Sequence, residues 1–201
     1  PNDFPDFLKW LPGCDEIVIY EKEVENSKKI FEKADIIFTL DFNSLDRVGG
    51  ELQSVLENAA AKFVMIDHHQ QPADYAVATY SDVKMSSTSE MVYHFMDAMD
   101  QAEKLSKEIA VNLYTGIMTD TGSFRFSSTT PTTHRVAAKL IEAGAQSAII
   151  NQNVYDTNSP DRMKLLGVAL NNLVILLELH TAYITLTQKE LDNHNFKKGD
   201  T

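Results

Sequence analysis

Cysteine is nearly absent from this 201-residue chain: Cys14 stands alone, which excludes a disulfide scaffold. A single thiol fits a reducing compartment, and a cytoplasmic protein is expected. Long hydrophobic runs are also lacking. The longest mixed apolar stretch is Leu173–Leu179, far short of the roughly 18 residues that a membrane span needs, so no membrane partner is expected. Positive charge is scarce, with 18 Lys and Arg against 29 Asp and Glu and a net charge of -11. Binding to long duplexes, which needs a basic face to displace counterions, is therefore not expected. Internal repeats, low-complexity tracts, an initiator Met and a signal-like leader are missing too, and both ends read as cut within a longer protein. What is present is 43% apolar and 9% aromatic residues, the composition of a packed globular domain.

Short apolar runs alternate with helical patterns through the first half. Glu16–Tyr20, Asp35–Leu40 and Lys62–Ile66 read as strands. Val24–Ala34 and the stripe of Leu52, Val55, Leu56, Ala59 and Ala60 read as helices between them, the second opened by a turn at Gly49-Gly50. This order predicts an α/β fold with right-handed crossovers and a parallel sheet with flanking helices. From Ser86 onward helices dominate. Ser87-Thr88-Ser89-Glu90 fits a capping box, Leu105, Ile109, Leu113 and Ile117 recur every four residues, and Thr130-Pro131 and Ser159-Pro160 place a cap before a first-turn proline. Pro160–Leu173 reads as a long helix and Glu178–Thr187 as a strand. A boundary is expected near Asp156, giving one domain over 1–156, a connecting helix over 157–177, and the start of a second α/β domain over 178–201.

Asp41, Asp67-His68-His69 and Asp120 occupy the positions where open α/β sheets gather ligands, beyond strand ends or beyond the apolar helix that ends near Met118. Three consecutive polar, metal-competent groups after a buried strand are hard to justify by packing. Imidazole mixed with carboxylate favours manganese, cobalt, iron or zinc over a magnesium-only site. His69, beside the ligand, is a candidate for contacting phosphate.

These segments resemble the DHH phosphoesterase superfamily: Asp67-His68-His69 after a hydrophobic strand, Asp41 after the preceding strand, and Thr115-Gly116-Ile117-Met118-Thr119-Asp120-Thr121-Gly122-Ser123-Phe124-Arg125-Phe126. Within it, they are most similar to bacterial oligoribonucleases that also act as phosphatases on 3'-phosphoadenosine 5'-phosphate. Ser86–Tyr93 and Ser127–Pro131 share that likeness. The resemblance implies that Asp41 bridges two manganese ions, with magnesium or cobalt as substitutes, that His68 and Asp120 bind one of them, and that Asp67 supports the His68 ring. His69 and Arg125 are then phosphate-facing, and Asp67 and His69 are the catalytic candidates. Ser87, with Ser86 and Thr88, opens a helix where an anion would fit, although a plain cap accounts for the same residues. The implied partners are short single-stranded oligonucleotides and phosphorylated nucleotides, and a homodimer is implied by the likeness only. The trailing segment resembles the start of the DHHA1-type substrate domain.

The chain departs from the pattern at its start. The His-x-x-Pro-Asp-x-Asp motif is absent; Pro5-Asp6 is the nearest echo, with Leu8 in place of the second aspartate. Taken alone, the piece is expected to hold at most one ion weakly and to turn over little. Other readings share the core: a pyrophosphatase, an exopolyphosphatase, a cyclic-dinucleotide phosphodiesterase, or a nucleotide-binding module without catalysis.

Overall fold

The computed structural model describes residues 4–196. Its first long element is helix α1 (Val24–Lys33), followed by strand β1 (Ile36–Leu40), helix α2 (Gly50–Glu57) and strand β2 (Lys62–Asp67). β1 and β2 pair in parallel with Leu40 opposite Ile66, and α2 supplies the crossover that such a pairing requires. A third strand, β3 (Ala78–Ser81), runs parallel along the other side of β2, giving the order β1-β2-β3. β2 is thus central, and Met65, Ile66 and Asp67 are essentially sealed from solvent, as a strand covered on both faces must be.

Helix α3 (Thr88–Ala98) packs on β2 and on helix α4 (Lys107–Asp120), which in turn packs on helix α5 (Pro131–Glu142). Ser87, Ser106 and Thr130 cap these helices through side-chain oxygens that accept N–H groups of the first turn. Gly116 lets α3 and α4 approach closely: a Cβ there would lie 2.8 Å from that of Ser89. Helices α6 (Ser147–Tyr155) and α7 (Pro160–Asn171), strands β4 (Val174–Leu176) and β5 (Thr181–Tyr183), and helix α8 (Gln188–Asn193) complete the order. β4 and β5 pair antiparallel as a separate hairpin. The chain divides into two compact units, one holding Lys9–Ile150 and the other holding Pro5–Leu8 with the residues from Asn151 onward.

Several expectations need correction. Glu16–Tyr20 is not a strand: Cys14–Glu16 forms a 3-10 turn, and Tyr20 closes another turn, accepting the Glu23 N–H at 3.2 Å. The apolar run there anchors an irregular segment by burying Tyr20, a use that periodicity cannot distinguish from a strand. Glu178–Thr187 is broken by His180, which at φ 48 closes the hairpin so that only Thr181–Tyr183 is extended. β3 and α6 carry too little hydrophobic patterning to be seen in the sequence.

Two helical glycines give opposite expectations. Gly116→Ala should lower stability by about 1–2 kcal/mol in urea unfolding, because overpacking against Ser89 outweighs the helical gain of alanine. Gly167→Ala in α7, where a Cβ meets nothing within 4 Å, should raise it by about 0.5–1 kcal/mol.

Candidate metal centre

Asp41 is the first residue after β1 and holds a left-handed backbone, φ 65, which a short polar side chain tolerates. Its N–H donates to the Ile66 carbonyl at 3.2 Å, tying it to the end of β2. The parallel register therefore sets Asp41 beside Asp67-His68-His69. Thr88 Oγ1 donates to Asp41 Oδ1 at 2.8 Å.

His68 is the hub. Its Nδ1 lies 3.2 Å from the Met85 carbonyl, and an Nδ1–H donated there leaves the Nε2 lone pair free. Nε2 lies 3.3 Å from Asp120 Oδ2 and 3.8 Å from Asp41 Oδ1. Two ligands of one first-row ion are held about 3–4 Å apart, so this trio has the spacing and the donor chemistry for a cation. Ligand atoms of Asp41, His68 and His69 also lie within 4.8 Å of one another. Burial pushes the Asp120 carboxyl above its usual range, His68 opposes this, and Asp41 adds to it. Asp120 thus ionises against resistance in the metal-free protein, and a cation would relieve it.

Asp67 does not support the His68 ring, as the resemblance had implied. Wholly buried, it accepts His69 Nδ1 at 2.7 Å and the His69 backbone N–H at 3.0 Å. The two adjacent imidazoles meet edge to face, with ring centroids 4.9 Å apart and planes 75° from each other, and the carboxylate bonds the second. His69 is consequently fixed in direction, with Nε2 as its free nitrogen.

Asp120 is the last residue of α4 rather than part of a loop beyond it. After it, Gly122, Ser123 and Phe124 hold φ values of 54, 59 and 63, a left-handed run that reverses the chain. Thr121 fastens this run, its hydroxyl donating to the Ile117 carbonyl at 2.6 Å and accepting the Phe124 N–H at 3.0 Å. Phe124 stacks on His134 with ring centroids 5.5 Å apart. Arg125 is exposed, and its Nε donates to the Gly122 carbonyl at 2.6 Å.

Ser87 is buried, and its hydroxyl accepts the Glu90 N–H at 3.1 Å, so its side chain serves as the cap of α3. The capping box is only half formed, because the Glu90 carboxylate turns instead to the hydroxyls of Ser86 and Thr133, the latter at 2.9 Å. His94, to which the sequence assigns no role, lies 3.6 Å from Glu90 Oε1. Thr88 and the Met85 carbonyl were also missed as supports of the site; a run of four hydroxyl residues before Glu90 was the available signal.

Residues 3–117 match the DHH family, N-terminal domain. The chain belongs to the DHH family. It is 33% identical over 117 residues to the bifunctional oligoribonuclease and PAP phosphatase NrnA of Bacillus subtilis, covering 58% of this chain and 36% of that protein. The protein of the same name from Thermus thermophilus is 31% identical over 172 residues, covering 85% of this chain and 48% of that one. An exopolyphosphatase-related protein from Bacteroides fragilis superposes with a TM-score of 0.96 at 38% identity, covering all of this chain and 58% of its own. The chain thus spans between about a third and somewhat over half of these DHH relatives. No helix among the described residues is long and apolar enough to cross a membrane.

The Asp120 shift has a consequence for stability. A carboxyl raised above its unfolded value of 3.8 imposes a penalty that is absent below that pH and complete once the folded group has ionised. Asp120→Asn should therefore raise the melting temperature of the metal-free protein at pH 7 and lose that advantage below about pH 4; melting curves at both pH values check this.

Proposed function

We propose that the chain forms the metal-binding domain of a manganese-dependent phosphoesterase. Its substrates are short single-stranded oligonucleotides, from whose ends it releases mononucleotides, and 3'-phosphoadenosine 5'-phosphate, from which it removes phosphate. The observation that carries this reading is the His68 Nε2 atom facing two carboxylates at 3.3 and 3.8 Å, at the end of a DHH-family sheet. The names of the Bacillus and Thermus relatives support the substrate class.

In this reading His68, Asp120 and Asp41 would hold the metal. Manganese, or magnesium or cobalt in its place, supplies Lewis-acid charge stabilisation and activates water for attack on phosphorus. The chain's own residues do the rest. Asp67 fixes the His69 ring so that Nε2 meets a phosphate oxygen, and the Arg125 guanidinium pairs with further oxygens through its planar fork. Ser87 contributes by capping α3, not through its hydroxyl at the phosphate. The residues beyond 177 begin the domain that recognises the rest of the substrate. Long duplexes are disfavoured by the charge of -11, and a cytoplasmic location and a homodimer belong to the same proposal.

The test is release of mononucleotide from a fluorescent RNA dinucleotide by the natural chain that carries these residues, with and without manganese. His68→Ala should reduce the rate by more than about a hundredfold, since even residues behind a metal ligand are worth 10–100-fold. Activity that is independent of manganese and of His68 would overturn the reading. The Bacteroides relative's description favours a second substrate class, condensed phosphates. Faster turnover of pyrophosphate or polyphosphate than of the dinucleotide, without competition from nucleoside monophosphates, would select it.

A further inference from the structure

Asp41 is an unusual ligand candidate because little of the protein restrains it. Its side chain is 62% exposed, it sits at a strand end, and its backbone is left-handed. Among the described residues, its carboxylate receives one side-chain hydroxyl hydrogen bond, from Thr88 across 47 positions of sequence. Thr88 itself is only 6% exposed. A buried hydroxyl needs a hydrogen-bond partner, and the exposed Asp41 carboxylate supplies one.

Thr88 is in turn held from behind. It is the first residue of α3, directly after the Ser87 cap. Glu90, 1% exposed, grips that first turn through the Ser86 hydroxyl and reaches across to Thr133 in the capping box of α5. The first turn of α3 is therefore fixed to a second helix. Among the described residues, the side-chain hydrogen bond that this turn sends to Asp41 comes from the Thr88 hydroxyl.

We propose that Thr88 is a positioning residue for Asp41: its hydroxyl, anchored through α3 and Glu90, selects the rotamer in which Asp41 faces His68. This rests on the metal reading given above. The hydroxyl donates to Oδ1, the oxygen that lies 3.8 Å from His68 Nε2. An exposed aspartate must otherwise lose rotamer freedom on binding an ion. A donor that restricts it beforehand strengthens binding without touching the metal.

The experiment measures manganese affinity of the natural full chain by the loss of the free-ion electron paramagnetic resonance signal, without substrate. Thr88→Val removes the hydroxyl at nearly constant volume, Thr88→Ser keeps it, Thr88→Ala is the fallback should valine disturb packing, and His68→Ala is the control. Thermal melting in the absence of metal accompanies each. The expected result is affinity weakened about 10–100-fold in Thr88→Val and Thr88→Ala, with Thr88→Ser within about threefold of the parent. A role confined to stability would shift melting while leaving manganese affinity unchanged, and that outcome overturns the proposal. If Thr88→Val binds as the parent does while His68→Ala does not bind, the positioning role fails and the metal reading stands. If the parent and His68→Ala both fail to bind, both fail.

Discussion

Everything in the site depends on the parallel pairing of β1 with β2. With Leu40 opposite Ile66, Asp41 just past β1 comes level with Asp67, the last residue of β2, and with His68 and His69 immediately beyond it, so these residues share the same small space. A shift by one residue would turn every side chain of β1 to the opposite face and separate Asp41 from His68. The register is secured by burial, since Met65 and Ile66 of β2 and Thr39 of β1 are closed to solvent. The chemistry of the DHH family is thus an outcome of strand alignment before it is one of individual residues.

Around that alignment the protein divides its carboxylates by burial. Asp67 is sealed and serves one imidazole; Glu90 is sealed and serves hydroxyls of two helices; Asp41 and Asp120 remain partly exposed, facing His68. Buried acids with complete hydrogen-bonding sets act as structural pins, while the partly exposed acids share a neighbour and repel each other. The contrast between these two kinds of carboxylate, more than their number, sets the trio around His68 apart from the rest of the domain.

Much of this was legible in the sequence. Asp41, Asp67-His68-His69 and Asp120 stand out in the sequence because short apolar runs ending in acids and imidazoles have few packing explanations, and the structure brings His68 together with both Asp41 and Asp120. The parallel α/β arrangement followed from the alternation of Ile36–Leu40 and Lys62–Asp67 with α1 and α2. What stayed hidden has specific causes. The contacts Thr88 to Asp41 and Thr133 to Glu90 join residues more than 40 positions apart, and hydroxyl residues near a helix start look the same whether they cap or reach outward. The partner of Asp67 is a choice between neighbouring histidines that residue order does not decide. Ile17 to Tyr20 have the composition of a strand but pair with neither edge of the β1-β2-β3 sheet, whereas β3 joins β2 with little hydrophobic signature.

The termination of α4 at Asp120 carries one more implication. The peptide dipoles of a helix sum to about half a negative charge at its carboxyl end, concentrated on the last unpaired carbonyls. α4 delivers that end, and Asp120 with it, to the side of His68. The helix as a whole therefore acts as a fixed cathode: it draws cations toward the trio even before any carboxylate ionises, and it repels phosphate. Arg125, tethered to the Gly122 carbonyl just past that terminus, sets a positive charge against that negative end.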